Sequence, residues 1–308
     1  MDIRQIHKTF VNGRIPLIVT IVIFIGLRFL VCDSWASLYI WGTTFLQMGI
    51  ALALLYLNQT FSIIRTRTFL PPFFYLLLVG ADSMFYESFI GSVAAFCIML
   101  CFFFLFHTYQ HSHSQALSLN ISIILTLGSL LWTPLLLFFP LFWYGFYKFK
   151  SLTIKTFLAS LIGYVVVYLF ILAWSVYKSD WNIFISQLPE FRNLFEIQPF
   201  SFSLREWYIL GFIIILYILL SFNLFMPSIS EKIRTISFLR YLYFFALVLL
   251  IIFFFKTDWK SDWFLILYIP ISLLISHYFS VTNKKATMYL MVLTILFFIG
   301  MFVWQRVG

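Results

Sequence analysis

The segment Phe24-Ile-Gly-Leu-Arg-Phe-Leu-Val-Cys-Asp-Ser-Trp35 ends an apolar run that begins near residue 15, and it predicts the outer end of a first membrane span. Arg28 lies inside the apolar run, and Asp33 follows shortly after it. A charged side chain within a membrane segment costs at least a few kcal/mol, so intramembrane arginines mark candidate functional sites. Arg28 is therefore the first residue to which we assign a function.

The composition of the whole chain points to the same class of protein. Of its 308 residues, 63% are hydrophobic and only 10% are charged, whereas soluble domains contain about 25% charged residues. The net charge of +9 is spread between apolar runs, which the positive-inside bias of membrane proteins explains better than nucleic-acid binding does. We predict an all-α, polytopic transmembrane helix bundle in the cytoplasmic (inner) membrane, without nucleic acid as a partner.

Eleven apolar runs, separated by polar breaks, predict about eleven membrane spans. The first span is expected to remain as an anchor, because no small-residue cleavage site follows it. The break at 132/133 has a second interpretation, in which Pro134 kinks a single buried hairpin. The predicted spans lie near 15–32, 37–57, 69–83, 89–107, 117–132, 133–149, 157–177, 207–225, 241–256, 262–281 and 288–305.

The distribution of charge predicts the orientation of these spans, because cytoplasmic loops are rich in Lys and Arg. With a cytoplasmic N-terminus, the outer segments hold nine of the eleven acidic residues, and the odd number of spans places Gly308 outside. Nine of the ten tryptophans then fall near outer span ends, where aromatic rings favour the interface. The inner segments contain thirteen of the twenty basic residues: Arg4, Lys8, Arg14, Arg65, Arg67, Lys148, Lys150, Lys155, Lys232, Arg234, Arg240, Lys284 and Lys285.

The order of the predicted spans divides the chain into a seven-span module at 1–177, an outer loop at 178–206 and a four-span module at 207–308. Apolar residues recur at helical spacing in the loop, and Pro189 opens a second turn. This pattern predicts one or two amphipathic helices lying in the membrane interface, as a lid over an outer cavity or as a plain connector. The recurring residues are Trp181, Phe184, Ile185 and Leu188.

Acidic residues at predicted outer turns could carry chemistry. Asp33 follows the first span, and Asp82 and Glu87 bracket the turn between the third and fourth. A carboxylate there can act as a general base toward a hydroxyl, or hold a divalent cation on a phosphate. Arg28 lies roughly 6 Å inside its span end, a depth that suits binding of a lipid phosphate. Alternatively, Arg28 extends outward and pairs with Asp33 or with an interfacial lipid phosphate.

Other patterns exclude common chemistries. His107, His111 and His113 lack a nearby carboxylate or a further ligand at zinc spacing, which favours a solvated polar loop, and we predict no metal site from them. Three cysteines do not make a disulfide framework. The chain contains no Walker loop, dinucleotide-binding glycine fingerprint, HExxH or GxSxG motif. No cofactor is assigned, and a divalent cation is left open.

Residues 15–175 resemble the GT-C-type integral-membrane glycosyltransferases in layout. The resemblance rests on Asp33 after the first span, on Phe69-Leu-Pro-Pro-Phe-Phe74 before the turn with Asp82 and Glu87, and on Leu125-Thr-Leu-Gly-Ser-Leu-Leu-Trp-Thr-Pro134. It implies action on a polyprenyl-phosphate-linked sugar at the outer leaflet, with Asp33 as catalytic base and Asp82 or Glu87 assisting. The chain also resembles, more diffusely, uncharacterised multi-spanning envelope proteins, for which no activity is implied.

The sequence thus predicts a glycosyltransferase-like membrane protein with membrane lipid and a lipid-linked sugar as partners. Two other functions stay open. One is a non-catalytic membrane subunit or scaffold that binds a membrane-protein partner, and the other is a transporter or flippase of a lipid-linked substrate. The predicted catalytic residues are Asp33, Asp82 and Glu87, and the predicted substrate-binding residues are Arg28, Arg192 and Arg205.

Overall fold

The computed structural model describes most of the chain as α-helices joined by turns, with one 3-10 helix at Thr133–Phe138 and no strand among the described residues. The predicted all-α class is therefore confirmed. The described residues are 13, 15–31, 38–66, 68–111, 113–185, 203–225, 232–255, 260–282 and 285–307. The helices are α1 (Ile15–Val31), α2 (Leu38–Phe61), α3 (Leu70–Gly80), α4 (Met84–Glu87), α5 (Phe89–His107), α6 (Gln115–Ser129), α7 (Phe139–Lys148), α8 (Ile154–Tyr177), α9 (Asn182–Ile185), α10 (Leu204–Phe225), α11 (Ile233–Phe255), α12 (Lys260–Val281) and α13 (Lys285–Val307).

Seven of the described helices are long and apolar enough to cross a membrane, namely α2, α5, α8, α10, α11, α12 and α13. Their length and composition indicate a multi-pass membrane protein. The other predicted spans contain shorter helices. The eleven residues of α3 rise only about 16 Å at 1.5 Å per residue, roughly half of the hydrocarbon core. The count of about eleven spans, the orientation and the inner membrane as location therefore stay predictions.

The segment predicted as one span over 133–149 is divided in the structure. A 3-10 helix at Thr133–Phe138 is followed by the ten-residue α7. Pro134 and Pro140 both stand in the first turn of their helices, the position where a missing backbone N–H costs little. The two prolines therefore start two short helical pieces where the apolar run suggested one continuous helix.

The described helices belong to two compact units. Unit 1 is Met1–Ser92 together with Phe200–Gly308, and unit 2 is Val93–Pro199. The predicted modules 1–177 and 207–308 are separated by the predicted outer loop between them, and they stay predictions. Of the predicted loop helices in 178–206, the structure describes α9, whereas Leu188, Pro189 and Arg192 lie outside the described residues.

The core of unit 1 is formed by α12 and α3. Helix α12 is apolar on nearly all sides, and 89% of its span is buried, as expected for a helix that is hydrophobic all round. It packs against α3 and α11, and α3 packs in turn against α1 and α2. Pro270 lies inside α12, which membrane helices tolerate because neighbouring groups satisfy the freed carbonyl. Because α3 and α12 are enclosed, the polar turns at their ends occupy fixed positions.

The core of unit 2 is the close pair of α6 and α8. Ser118 Oγ of α6 donates to the carbonyl of Thr156 at 2.7 Å. A Cβ atom added at Gly163 would lie 3.0 Å from the carbonyl oxygen of Leu119, so this glycine lets the two backbones approach. Small residues at helix contacts are the usual means of tight packing in membranes. Helix α8 begins with a capping box between Thr153 and Thr156.

Candidate functional site

Four of the six predicted site residues lie in the described part of unit 1, namely Arg28, Asp82, Glu87 and Arg205. Asp33 and Arg192 lie outside the described residues. Glu87 is exposed at the last position of α4. The other three side chains bind groups contributed by neighbouring helices of the unit.

Arg28 is buried against α2, with only 1% of its surface exposed. Its Nη1 atom donates to Thr43 Oγ1 at 3.2 Å and to Thr44 Oγ1. Its Nη2 atom donates to Gln47 Oε1. These acceptors recur at one face of α2, and their spacing matches the planar fork of a guanidinium. The charge of Arg28 is thus held by neutral oxygens in the interior of unit 1.

Two aromatic rings enclose the same guanidinium. The Cζ atom of Arg28 lies 4.8 Å from the ring centroid of Phe24 and 4.6 Å from that of Tyr86, within the range of cation–π attraction. The hydroxyl of Tyr86 donates to the carbonyl of Gly80 at 2.9 Å, which fixes the ring. Arg28 therefore connects α1 and α2 to the short helix α4.

The residues that hold Arg28 also hold α4. Gln47 Nε2 donates to the carbonyl of Phe85 at 2.9 Å, and Thr43 Oγ1 donates to the carbonyl of Tyr86 at 2.8 Å. A helix of four residues cannot satisfy its own last carbonyls, so side chains of α2 do so. We call the segment 81–88 the Asp82 turn. Arg28 orders the α2 side chains on which this turn rests.

Asp82 forms the main ion pair of the turn. Its side chain is 2% exposed, and Oδ2 lies 3.0 Å from Nη2 of Arg205. Its Oδ1 atom accepts from the backbone N–H of Met84 at 3.0 Å. Burial raises the pKa of the Asp82 carboxyl above its ordinary value, and the Met84 N–H and the Arg205 guanidinium oppose that rise only in part. A carboxylate whose pKa is raised is a stronger general base when it ionises.

Arg205 is positioned by the start of α10. The sequence Ser203-Leu-Arg-Glu206 has the capping-box pattern, and the Ser203 N–H donates to Glu206 Oε2 at 2.8 Å while the Glu206 N–H donates to Ser203 Oγ at 3.3 Å. Glu206 also pairs with Lys260 at 3.0 Å. Nε of Arg205 is buried and has no hydrogen-bond acceptor among the described residues. The guanidinium thus retains a donor that Asp82 does not use.

A third carboxylate, Asp262, lies in the first turn of α12. Its Oδ1 atom accepts from Ser88 Oγ at 2.5 Å and from Ser261 Oγ at 3.2 Å. A Cβ added at Gly91 would meet this carboxylate and lie 2.8 Å from Cα of Asp262. The first turn of α5 therefore packs directly on the start of α12, which closes the far side of the Asp82 turn.

Helix α13 holds the remaining side of the Asp82 turn. The backbone N–H of Ser83 donates to Gln305 Oε1 at 3.1 Å, and Gln305 Nε2 donates to Ser83 Oγ. Together with the contacts from α2, α10 and α12, this pair fixes the turn between four helices.

An apolar crevice of about 360 Å³ runs between α1, α3 and α13. Its lining includes Ile23, Leu77 and Phe298, and it reaches Gly80 and Ala81, directly before Asp82. The volume lies within the range of small-ligand pockets, about 300–1,000 Å³. An apolar slot in a membrane protein fits a hydrocarbon chain, and this one ends at the first residue of the Asp82 turn.

Among the described residues, no group of three or more His, Cys, Asp or Glu side chains is arranged to hold a metal ion. In comparisons with known proteins, no family model matches the chain, and no match was found among curated proteins or solved structures. The chemistry of the residues in unit 1 is therefore what indicates a function for this site.

Sequence reasoning did not identify several residues of this site. The capping-box pattern of Ser203 and Glu206 was visible in the sequence and could have placed Arg205 at a helix start. Polar residues at one face of an apolar helix, as at Thr43 and Gln47, also signal an interior contact. No local pattern identifies Gln305, because its partner Ser83 is 222 residues away.

Proposed function

We propose that this chain is a membrane-embedded, glycosyltransferase-like protein that acts on a polyprenyl-phosphate-linked sugar at the outer leaflet. The observation that carries the proposal is the apolar crevice, which reaches Ala81 beside the pair of Asp82 and Arg205. A polyprenyl phosphate has an apolar chain and an anionic head, so its two parts match the crevice and the arginine.

In the proposed reaction, Asp82 takes the proton of an acceptor hydroxyl. The hydroxyl oxygen bonds to the anomeric carbon of the sugar, and the bond from that carbon to the phosphate oxygen breaks. The lipid phosphate leaves with the bonding electrons and accepts hydrogen bonds from Arg205, including its unused Nε–H. When Arg205 also binds the phosphate, it stabilises the negative charge of Asp82 less. The Asp82 carboxylate is therefore a stronger base while the substrate is bound.

Other predicted residues have supporting roles in this proposal. Glu87, exposed on the Asp82 turn, orients the acceptor. Arg28 positions the turn through the side chains of α2. Asp33 keeps its predicted role as a further candidate base and Arg192 as a substrate-binding residue.

The proposal is tested with the full chain in lipid nanodiscs and a radiolabelled polyprenyl-phosphate hexose. Asp82→Asn is expected to lower sugar transfer by about 100-fold or more, the usual contribution of a general base. Asp180→Asn is the matched control, because Asp180 is an exposed carboxylate of unit 2 that accepts the backbone N–H of Asn182. Assays with and without EDTA test the divalent cation. Full transfer by Asp82→Asn, or an equal loss in Asp180→Asn, would end the proposal.

A second function, a non-catalytic membrane subunit, is favoured by a separate observation. Asp82, Glu206 and Asp262 each bind a protein group, either a cation or a hydroxyl. A role in fixing the fold is enough to explain carboxylates that are paired in this way. A subunit of this kind would co-purify with a stoichiometric membrane partner and would keep its cellular role in both Asp82→Asn and Asp262→Asn.

A further inference from the structure

A second apolar groove lies in unit 2, on the pair of α6 and α8. It has a volume of about 560 Å³, and all of its lining side chains are apolar. They include Leu127 of α6, Leu130 directly after that helix, and Val167, Phe170, Ile171 and Trp174 of α8. None of these residues belongs to the site in unit 1.

One end of the groove carries the marks of a membrane interface. Trp174 lines the groove there, with the ring of Tyr177 5.9 Å away, and Trp and Tyr concentrate at the headgroup level of a bilayer. From Trp174 back to Val166, α8 covers about 12 Å at 1.5 Å per residue. The groove thus extends from the headgroup level into the hydrocarbon layer, the path of a lipid chain.

The interface end also carries a positive charge. Nζ of Lys178 lies 5.4 Å from the centroid of the Trp174 ring, one helical turn beyond the groove, and the side chain is exposed. The carboxylate of nearby Asp180 accepts the backbone N–H of Asn182 at 3.0 Å. An ammonium at this depth attracts anionic headgroups, while the apolar groove accepts the attached chain.

We infer that the groove of α6 and α8 is a binding site for an anionic phospholipid. One acyl chain lies along Leu127, Leu130 and Phe170, and the headgroup phosphate binds Lys178 above the ring of Trp174. A zwitterionic lipid places the same chain in the groove, but its own cation competes with Lys178 for the phosphate. The site therefore selects lipids by headgroup charge. This inference does not depend on the proposed transferase activity.

The test uses the purified full chain in detergent with phospholipids brominated on their acyl chains, which quench tryptophans they contact. The difference between the wild-type chain and Trp174→Phe isolates the signal of Trp174. Brominated phosphatidylglycerol is expected to quench it at about fivefold lower mole fraction than brominated phosphatidylcholine, the factor for one lysine near an anionic headgroup. Lys178→Gln is expected to remove this preference.

Lys155→Gln is the matched control, because Lys155 is exposed in the first turn of α8, at the opposite end from the groove mouth. It should keep the full preference for the anionic lipid. Equal quenching by both lipids in the wild-type chain, or no quenching of Trp174 by either, would overturn the inference. An equal loss of preference in Lys155→Gln and Lys178→Gln would do so as well. Co-purification of a partner helix that blocks quenching would assign the groove to a protein instead.

Discussion

Arg28 shows how a single charged residue can be retained inside a membrane protein. Removing a charge from water costs several kcal/mol, and hydrogen bonds to a charged group return about 1.5–3 kcal/mol each. Arg28 donates to Thr43, Thr44 and Gln47 and lies between two aromatic rings. The planar fork is what allows one side chain to make all of these contacts at once.

The first prediction concerns this geometry. Arg28→Lys keeps the charge, but one ammonium cannot reach both Thr44 and Gln47 while lying between the rings. We expect the substitution to lower the free energy of unfolding in mixed micelles by about 2–4 kcal/mol, close to the cost of breaking a buried charged pair. The matched control is Arg240→Lys on the exposed face of α11, where a change within about 0.5 kcal/mol is expected. Equal stability of the two variants would show that the guanidinium geometry contributes nothing.

The sequence predicts some of these residues and not others for a physical reason. Arg28 is identifiable because a charge in an apolar run is costly wherever it points. Its partners are not, because acceptors 15 to 19 residues away come within reach only after α1 packs on α2. The pairing of Asp82 with Arg205 depends in the same way on helix contacts across 123 residues.

At the scale of helices, one close backbone approach in unit 1 is between the first turn of α5 and the start of α12. Gly91 faces the backbone of Asp262, and Ser88 binds the carboxylate of that residue. This contact packs the buried carboxylate of Asp262 against the Asp82 turn, to which Ser88 belongs. A side chain at position 91 would separate the two helices.

The second prediction tests this close approach. In Gly91→Ala the new methyl group would lie 2.8 Å from Cα of Asp262, and backbone atoms cannot yield as a flexible side chain can. Overpacking of this kind costs about 1–3 kcal/mol, which thermal unfolding of the purified chain should reveal. Gly211→Ala in α10 is the control, because nothing lies within 4 Å of the added atom. There the gain in helix propensity should raise stability by up to about 1 kcal/mol. If Gly91→Ala is equally stabilising, the two helices are not in direct backbone contact.

Helix positions were predictable where hydrophobicity alone determines the structure. The long helices α2, α5, α8 and α12 begin and end within a few residues of the predicted spans, since a long charge-free run has few other options in a membrane. The segment 133–149 was harder, because hydropathy does not distinguish one span from two short pieces that begin at prolines. Proline positions decide that question, and their effect depends on local geometry.

At the scale of the whole molecule, the number of spans depends on how deep the hairpin of α6 and α7 reaches. Its two ends lie together, since the Gln110 N–H donates to the carbonyl of Phe149 at 3.0 Å. The fifteen residues of α6 rise about 22 Å, less than the hydrocarbon thickness of about 30 Å. However, Leu130 near the tip lines the same groove as Trp174. We therefore expect the tip to approach the level of the Trp174 ring.

The third prediction is that this tip is exposed on the far side of the membrane, as two spans rather than a re-entrant hairpin require. Leu131 is 59% exposed, so Leu131→Cys should react with a membrane-impermeant maleimide in intact cells, together with Ser179→Cys beyond the end of α8. His111→Cys, in the turn before α6, should react only after permeabilisation, because the orientation predicted from the basic residues of the other inner loops places that turn on the cytoplasmic side. The unsubstituted chain gives the baseline, since Cys32 lies at the end of the first apolar run and Cys97 and Cys101 lie within α5. Labelling of Leu131→Cys only after permeabilisation would mean that the hairpin turns back inside the bilayer, with two fewer spans. Labelling of His111→Cys but not of Ser179→Cys in intact cells would reverse the orientation, and with it the assignment of the outer face.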